Sequence, residues 1–133
     1  MDEAGVNAAL GFKAAVEAGD VVGATRFFSD DIRFHSPVKF RPFEGIDTVR
    51  ALFAVLQRTF RDFRYVGRYD GPNGHVLHFR TVVDGKEVEG IDLIELDEDG
   101  RIGTFTVMIR PQSALTAVGE AIWAGLVADG VVS

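Results

Sequence analysis

The chain has 133 residues, 47% of them hydrophobic, a formal net charge of −6 and no cysteine. This length predicts one domain over residues 1–133 with its own core, and the lack of cysteine excludes disulfides, thiolate catalysis and cysteine-ligated zinc. The acidic balance and scattered arginines argue against a nucleic-acid partner. The sequence shows neither a run of about 18 apolar residues nor the basic-then-apolar start of a signal peptide, so we expect a cytoplasmic protein with no membrane partner.

Helical periodicity dominates the first half of the chain. Apolar residues recur at helical spacing over residues 3–18, and Gly19 suits the left-handed position after a helix end. Asp20 suits the N-cap of a shorter second helix that extends through Phe28. A short strand is then expected over residues 32–35.

The next segment is an irregular connection followed by a third helix. Residues 38–44 contain Pro42, which restricts them to an edge strand or a loop. Gly45 precedes a stretch with apolar side chains on one helical stripe, which predicts a helix over residues 46–60.

The pattern then changes to a period of two. Turn sequences such as Asp99-Gly100 separate four predicted strands, and a last helix follows. The strands are expected near residues 63–70, 75–84, 87–97 and 101–110, and the helix over 113–128. Three helices, four antiparallel strands and a closing helix make an α+β order.

The strand over residues 87–97 is apolar on both faces. Ile91 and Leu93 alternate with Asp92, Ile94 and Leu96. The helices of one chain can cover only one face of such a sheet, so we expect a second copy to cover the other and the protein to be a homodimer.

Several segments, in order and spacing, resemble the ketosteroid-isomerase and SnoaL-like branch of the nuclear-transport-factor-2-like superfamily. The resemblance covers about residues 7–110. The segments are Phe12–Asp20, Phe27–Phe34, His35–Val38, Phe43–Arg50, Gly90–Ile94 and Asp97–Ile102.

The resemblance implies a cone-shaped fold. Three N-terminal helices would pack on a strongly curved, mainly antiparallel sheet, with a C-terminal helix, around an apolar pocket open at one end. Members of the superfamily bind small hydrophobic molecules. Some isomerise steroids or cyclise polyketides by acid–base chemistry without a cofactor, others hydrolyse epoxides, and some only bind partners. We therefore expect no cofactor.

The resemblance also implies candidate catalytic positions. Ketosteroid isomerases use a carboxylate base and an oxyanion hole made by a tyrosine and a protonated aspartate. The protonated aspartate matches Asp92, but the base position is Ser36 and the tyrosine position is Phe12. Two of the three residues are missing, so a ketosteroid isomerase of the standard design is not expected.

Asp92 and His35 are the catalytic candidates. Beside Ile94 and Leu96, the carboxyl group of Asp92 should have a raised pKa and act as a proton donor or base. The alternative is an aspartate bonded to a neighbouring strand or paired with Arg80 or Arg110. His35, adjacent to Ser36, is expected to act as a general base. The alternative is a strand-end histidine that faces solvent or caps the next turn.

Other residues have two interpretations each. His78 and Arg80 share a strand face and would either line the cavity with Asp92 or face solvent. Tyr65 and Tyr69, four apart on one face, would either supply the hydroxyl group missing at Phe12 or pack in the sheet. An epoxide hydrolase would need two inward carboxylates, and only Asp92 is evident. His35, His75 and His78 lack metal-site spacing, so no metal is expected.

The leading functional hypothesis is binding of a mainly apolar steroid-, polyketide- or terpenoid-like molecule with a ketone or hydroxyl group. It includes cofactor-free isomerisation, cyclisation or dehydration, and the alternative is a non-catalytic binding or dimeric scaffolding domain. Trp123 is expected to close the pocket mouth or to cover the partner subunit. The expected ligand-binding residues are Phe12, Phe28, Ser36, Phe53, Tyr65, His78, Arg80, Met108 and Trp123.

Overall fold

The protein has an α+β fold in which helices pack on one sheet. The computed structural model describes the backbone of residues 3–132 and the side chains of residues 8–132. The helices are α1 (Glu3–Glu17), a 3₁₀ helix (Gly23–Phe27), α2 (Ile46–Thr59) and α3 (Gln112–Ala128). The strands are β1 (Phe28–His35), β2 (Phe43–Glu44), β3 (Arg61–Gly71), β4 (Gly74–Val83), β5 (Lys86–Leu96) and β6 (Ile102–Arg110). No helix in this described part is long and apolar enough to cross a membrane.

The predicted second helix is shorter than expected and is a 3₁₀ helix. Its N-cap residue is Val22 rather than the expected Asp20, although the Asp20 carboxylate still accepts a hydrogen bond of 2.9 Å from the Gly23 N–H. Phe28 was expected to be helical but begins β1. Between Phe28 and Arg33 the pairing of β1 with β6 is irregular, and this irregularity hides the period of two in the sequence.

The six strands form a single mixed sheet in the order β2-β1-β6-β5-β4-β3. Strands β3 to β6 form the expected antiparallel series, while β1 runs parallel to β6. The sheet is curved. We call the face that packs on the helices the inner face and the opposite one the outer face.

A cluster of five phenylalanine rings fastens the helices to the inner face. The Phe105 ring on β6 lies 5.2 Å from Phe12 on α1, 5.3 Å from Phe34 on β1 and 6.0 Å from Phe53 on α2, measured between ring centroids. Phe28 completes the cluster, 5.7 Å from Phe105. All five side chains are buried. The rings therefore join α1, α2, β1 and β6 into one core.

Alternation along β4 and β5 decides which side chains face the helices. Leu77 lies opposite Asp92 and is fully buried, so Asp92 belongs to the inner face. Gly90, two residues before Asp92, is needed there, because a Cβ at this position would lie 2.5 Å from the Phe79 ring. On the outer face, His78 lies opposite Ile91.

Candidate functional site

A cavity of about 420 Å³ lies between the helices and the inner face of the sheet. This volume is in the usual range for small-molecule sites. Eight of the eleven phenylalanines of the chain line the cavity without filling it, so it stays open and its walls are largely apolar. They are Phe12, Phe34, Phe43, Phe53, Phe60, Phe63, Phe79 and Phe105.

A carboxyl group and a phenol meet in the wall of this cavity. The hydroxyl group of Tyr65, on β3, donates a hydrogen bond of 2.8 Å to Oδ2 of Asp92, on β5. The two strands flank β4, where Leu77 lies opposite Asp92 and Phe79 lies opposite Tyr65. No other hydrogen bond reaches Asp92 from the described residues, so its second oxygen, Oδ1, is available to a molecule in the cavity.

The surroundings shift both groups towards their protonated forms. Burial raises the pKa of Asp92 from 3.8 to about 7, although the hydrogen bond from Tyr65 acts in the opposite direction. Burial, together with the nearby Asp92, raises the pKa of Tyr65 well above its usual value. Near neutral pH the carboxyl group is therefore present in both protonation states, while the phenol keeps its proton. Such a pair can donate, accept or hold a proton next to a bound oxygen atom.

The two tyrosines of β3 lie on opposite faces, although the sequence predicted a shared face. The register of β3 with β4 is irregular between Tyr65 and Gly67, which is a β-bulge that reverses the alternation. Tyr65 lies opposite Phe79 on the inner face, and Tyr69 lies opposite Val76 on the outer face with 65% of its surface exposed. Only Tyr65 is therefore available to the cavity.

Four more of the expected ligand-binding residues line the cavity: Phe12, Ser36, Phe53 and Trp123. Ser36 shapes the loop after β1, because its Oγ accepts hydrogen bonds of 3.3 Å from the N–H groups of Val38 and Lys39. Trp123, on α3, is 56% exposed and so lies where the cavity opens to solvent.

Sequence reasoning missed two polar residues of the lining, Gln57 and Lys39. Gln57 follows Phe53 by one turn of α2, and this spacing was a usable signal. Its side-chain oxygen accepts a hydrogen bond of 3.2 Å from the Val22 N–H. Lys39 lies in an irregular loop, with its Nζ 4.2 Å from the centre of the Phe43 ring, and no sequence period marks a loop residue.

The structure does not bring His35 to Asp92. Phe34 points to the inner face, so the next residue, His35, points to the outer one, where it lies near Thr106 and Met108. The expected acid–base pair of His35 and Asp92 inside the cavity is therefore wrong. The expectation that Met108 lines the cavity is also wrong. Met108 lies opposite Ile91 on the outer face and is 52% exposed.

His78, Arg80 and Phe28 also lie outside the cavity. On the outer face, Oε2 of Glu89 is 2.7 Å from Nε2 of His78 and accepts a hydrogen bond of 3.1 Å from Arg80, while its Oε1 accepts one of 2.7 Å from Arg110. These bonds also rule out the alternative in which Asp92 pairs with either arginine. The Phe28 ring lies in the core behind the cavity wall.

The described residues contain no group of three histidine, aspartate or glutamate side chains placed to hold a metal ion. Asp92 and Tyr65 lie in the cavity wall, with Lys39 and Trp123 near the opening.

The family description "SnoaL-like domain" matches residues 9–103, so the chain belongs to the SnoaL-like family. This confirms the resemblance inferred from the sequence. No curated protein sequence matches the chain.

The similar solved structures show the same fold. A steroid delta-isomerase from Pseudomonas aeruginosa is 29% identical over 99% of this chain and 98% of its own, with a TM-score of 0.90. A bacterial protein with a cystatin-like fold from Silicibacter pomeroyi is 29% identical over 89% of this chain and 84% of its own, with a TM-score of 0.82. SalBIII, an epoxide hydrolase/cyclase-like enzyme of pyran ring formation in salinomycin, is 15% identical over 83% of this chain and 92% of its own (TM-score 0.67), which shows the fold alone.

Proposed function

We propose that the protein binds a small, mainly apolar molecule with its ketone or hydroxyl oxygen placed against Asp92 and Tyr65. The observation that carries this proposal is the buried hydrogen bond of 2.8 Å between the two side chains in an otherwise aromatic and aliphatic cavity. Apolar walls with a few converging polar groups are typical of small-molecule sites. The likeness to a steroid delta-isomerase supports steroid-like skeletons as the first class to test, followed by polyketide- and terpenoid-like ones.

We further propose that bound substrate reacts by cofactor-free proton transfer, in an isomerisation, cyclisation or dehydration. With a pKa of about 7, Asp92 can exchange a proton near neutral pH. When Asp92 takes up a proton, it no longer needs the hydrogen bond from Tyr65, and the phenol can then donate to the substrate oxygen on which negative charge develops. Because His35 lies outside the cavity and Ser36 is no base, Asp92 would carry the proton alone.

Two other functions make different use of the site. A binder without turnover is favoured by Phe12 and Ser36, which place no phenol and no carboxylate where the isomerases carry them. Epoxide hydrolysis would need a second carboxylate, and among the described residues that line the cavity Asp92 is the one carboxylate.

A thermal-shift screen of steroid ketones, polyketide-like aromatics, terpenoid epoxides and fatty acids tests the binding proposal. A ligand at about one hundred times its dissociation constant adds about 2.7 kcal/mol, which raises the melting temperature by several degrees in a domain of this size. For a ketone that binds, Tyr65→Phe should weaken affinity about tenfold, the worth of one hydrogen bond, and the control His35→Asn should not. No shift with any class would refute the proposal.

Turnover of the ligand identified in this way separates an enzyme from a binder. If the protein is an enzyme, its rate should be governed by one group with a pKa near 7. Activity should be abolished in Asp92→Asn and retained in His35→Asn. Affinity without turnover in the wild type would leave the binding proposal standing and refute catalysis.

We also propose that a second copy of the chain covers the outer face. An outer patch, continuous across β3 to β6, exposes much of Tyr69 and Met108 and part of the aliphatic side chains between them. It consists of Tyr69, Val76, Ile91, Leu93 and Met108. Beside the patch, Glu89 is paired with Arg80 and Arg110, so its own carboxylate is not left unpaired, and the cluster keeps the positive charge of one arginine.

Light scattering at micromolar concentration tests the homodimer. The wild type should have the mass of a dimer, Met108→Lys should lower it towards that of a monomer, and Val127→Lys, at an exposed site on α3, should leave it unchanged. A monomeric wild type would rule out this use of the outer patch.

A further inference from the structure

The opening of the cavity carries one cation. The exposed side chains of Val38 and Trp123 mark this opening, and Lys39 lies with them in the lining. The loop over residues 36–42 contains two basic residues, Lys39 and Arg41, and no acidic one, although the whole chain has a net charge of −6. The loop beside the opening is thus basic, although the protein as a whole is acidic.

Lys39 is held in place without a carboxylate partner. Its ammonium group lies 4.2 Å from the centre of the Phe43 ring, a cation–π contact that orients the side chain along the cavity rim. Its N–H group is bound by the Ser36 hydroxyl, which fixes the loop at this residue. In the part of the chain that the structure describes, Lys39 forms no salt bridge, so its charge is available to a molecule at the opening.

The other polar side chains of the lining, Gln57 and Ser36, are uncharged, and their oxygen atoms already accept hydrogen bonds. Gln57 accepts a hydrogen bond from the Val22 N–H, and the Ser36 hydroxyl accepts two from its own loop. This leaves a proton-bearing pair deep in the wall, Asp92 and Tyr65, and one fixed positive charge at the rim. A ligand that uses both must be polar at its two ends and apolar between them.

We propose that Lys39 makes the cavity selective for amphipathic acids, which are apolar molecules with an oxygen function at the buried end and a carboxylate or similar anion at the mouth. The inference rests on the proposed function and names the second end of its ligand. The anion would approach Nζ of Lys39 from the cavity side, where the apolar lining weakens screening by water. A neutral ligand would occupy the same cavity without this contact.

Two matched pairs of probes test the proposal. The first pair is an androstenone with a carboxylate on its D ring and the corresponding primary amide. The second, which lacks a ketone, is dodecanoic acid and dodecanamide. Dissociation constants are measured from Trp123 fluorescence in the wild type, in Lys39→Met, which keeps an apolar stem, and in Arg41→Met, a basic residue of the same loop outside the cavity lining.

The expected result is a loss in Lys39→Met of about fivefold in affinity for each acid, the upper range for an exposed ion pair, with the amides unchanged. Added salt should reduce the advantage of the acids in the wild type. Arg41→Met should leave the ratio of acid to amide affinity as it is in the wild type.

The outcomes separate this proposal from the proposed function. Equal losses for acid and amide in Lys39→Met, or equal effects of Lys39→Met and Arg41→Met, would overturn the role of Lys39 while ketone binding stands. Binding of dodecanoic acid that depends on Lys39, without binding of either androstenone, would support the anion site and refute recognition of steroid ketones. If neither pair binds, the anion site at Lys39 is refuted, while the proposed function is decided by the other ligand classes of the thermal-shift screen.

Discussion

Replacing Asp92 with asparagine removes a buried titratable group and keeps the shape of its side chain. Burial raises the pKa of this carboxyl group from 3.8 to about 7, so the folded protein holds the proton more tightly than the unfolded chain does. The contribution of this group to stability is therefore complete below about pH 4, and it is lost as the pH rises through about 7.

The size of the effect follows from the two pKa values. Each pKa unit corresponds to about 1.4 kcal/mol, so the interval from 3.8 to about 7 amounts to a loss on the order of 4 kcal/mol in the free energy of unfolding. Asp92 is only 5% exposed, so screening by solvent reduces this value little. Relative to the wild type, Asp92→Asn should gain most of this amount between about pH 4 and pH 8.

Urea unfolding of both proteins over this pH range measures the effect. The difference between the two free energies cancels the titration of groups that the substitution does not touch. Tyr65→Phe provides a second variant with the carboxyl group intact. Tyr65→Phe removes the hydrogen bond that lowers the pKa of Asp92, so the stability of this variant should fall at a higher pH than that of the wild type. A difference between wild type and Asp92→Asn that is flat with pH, or that favours the wild type as pH rises, would refute the reasoning.

Three further predictions concern packing and the cavity opening. Gly125→Ala should lower the free energy of unfolding in urea by about 1–3 kcal/mol, because its Cβ would lie 2.5 Å from Val55. Gly119→Ala should lower it less, because its Cβ would lie 3.3 Å from Val38, an exposed loop side chain. Equal losses would contradict the close contact of α2 and α3. Phe105→Ala should cost about 3–5 kcal/mol, since its ring contacts four others, and a cost below about 1 kcal/mol would contradict its central place. Trp123, the single tryptophan, is 56% exposed at the cavity opening, so its emission should shift to the blue when a ligand binds, and an unchanged spectrum with a saturating ligand would place binding elsewhere.

Strict alternation made the floor of the site predictable from the sequence. β4 and β5 pair without a register shift from Gly74 to Val83, so parity alone put Asp92 on the face of Ile94. The same alternation placed His78 and Arg80 on one face, but it did not show whether that face is the inner or the outer one. Which face is inner depends on the side that the helices cover, and the apolar Leu77 and Phe79, both buried in the structure, were the sequence signal that His78 and Arg80 lie on the outer face.

Irregular backbone limited the remaining predictions. The bulge beside Tyr65 reverses the alternation of β3, so a parity count from Tyr69 places the phenol wrongly. Similarly, β1 begins at Phe28, which was expected to be helical, and its pairing with β6 is irregular between Phe28 and Arg33. Lys39 belongs to a loop whose course is set by the Ser36 hydroxyl and the Phe43 ring rather than by any repeat.

The placement of the phenol has a chemical consequence. In the isomerases that the sequence resembles, a tyrosine, a protonated aspartate and a separate carboxylate base divide the work. Here Phe12 and Ser36 remove the first and third groups, but Tyr65 brings a phenol to Asp92 from the sheet, at 2.8 Å. One carboxyl group cannot donate a hydrogen bond to an oxyanion and accept a carbon-bound proton at the same moment. This pair therefore suits a reaction in which Asp92 takes one proton and thereby frees the Tyr65 hydroxyl to donate to the substrate oxygen. A substrate that needs a carboxylic acid on its oxyanion and a carboxylate base at its carbon at the same moment should therefore bind in the cavity and fail to react.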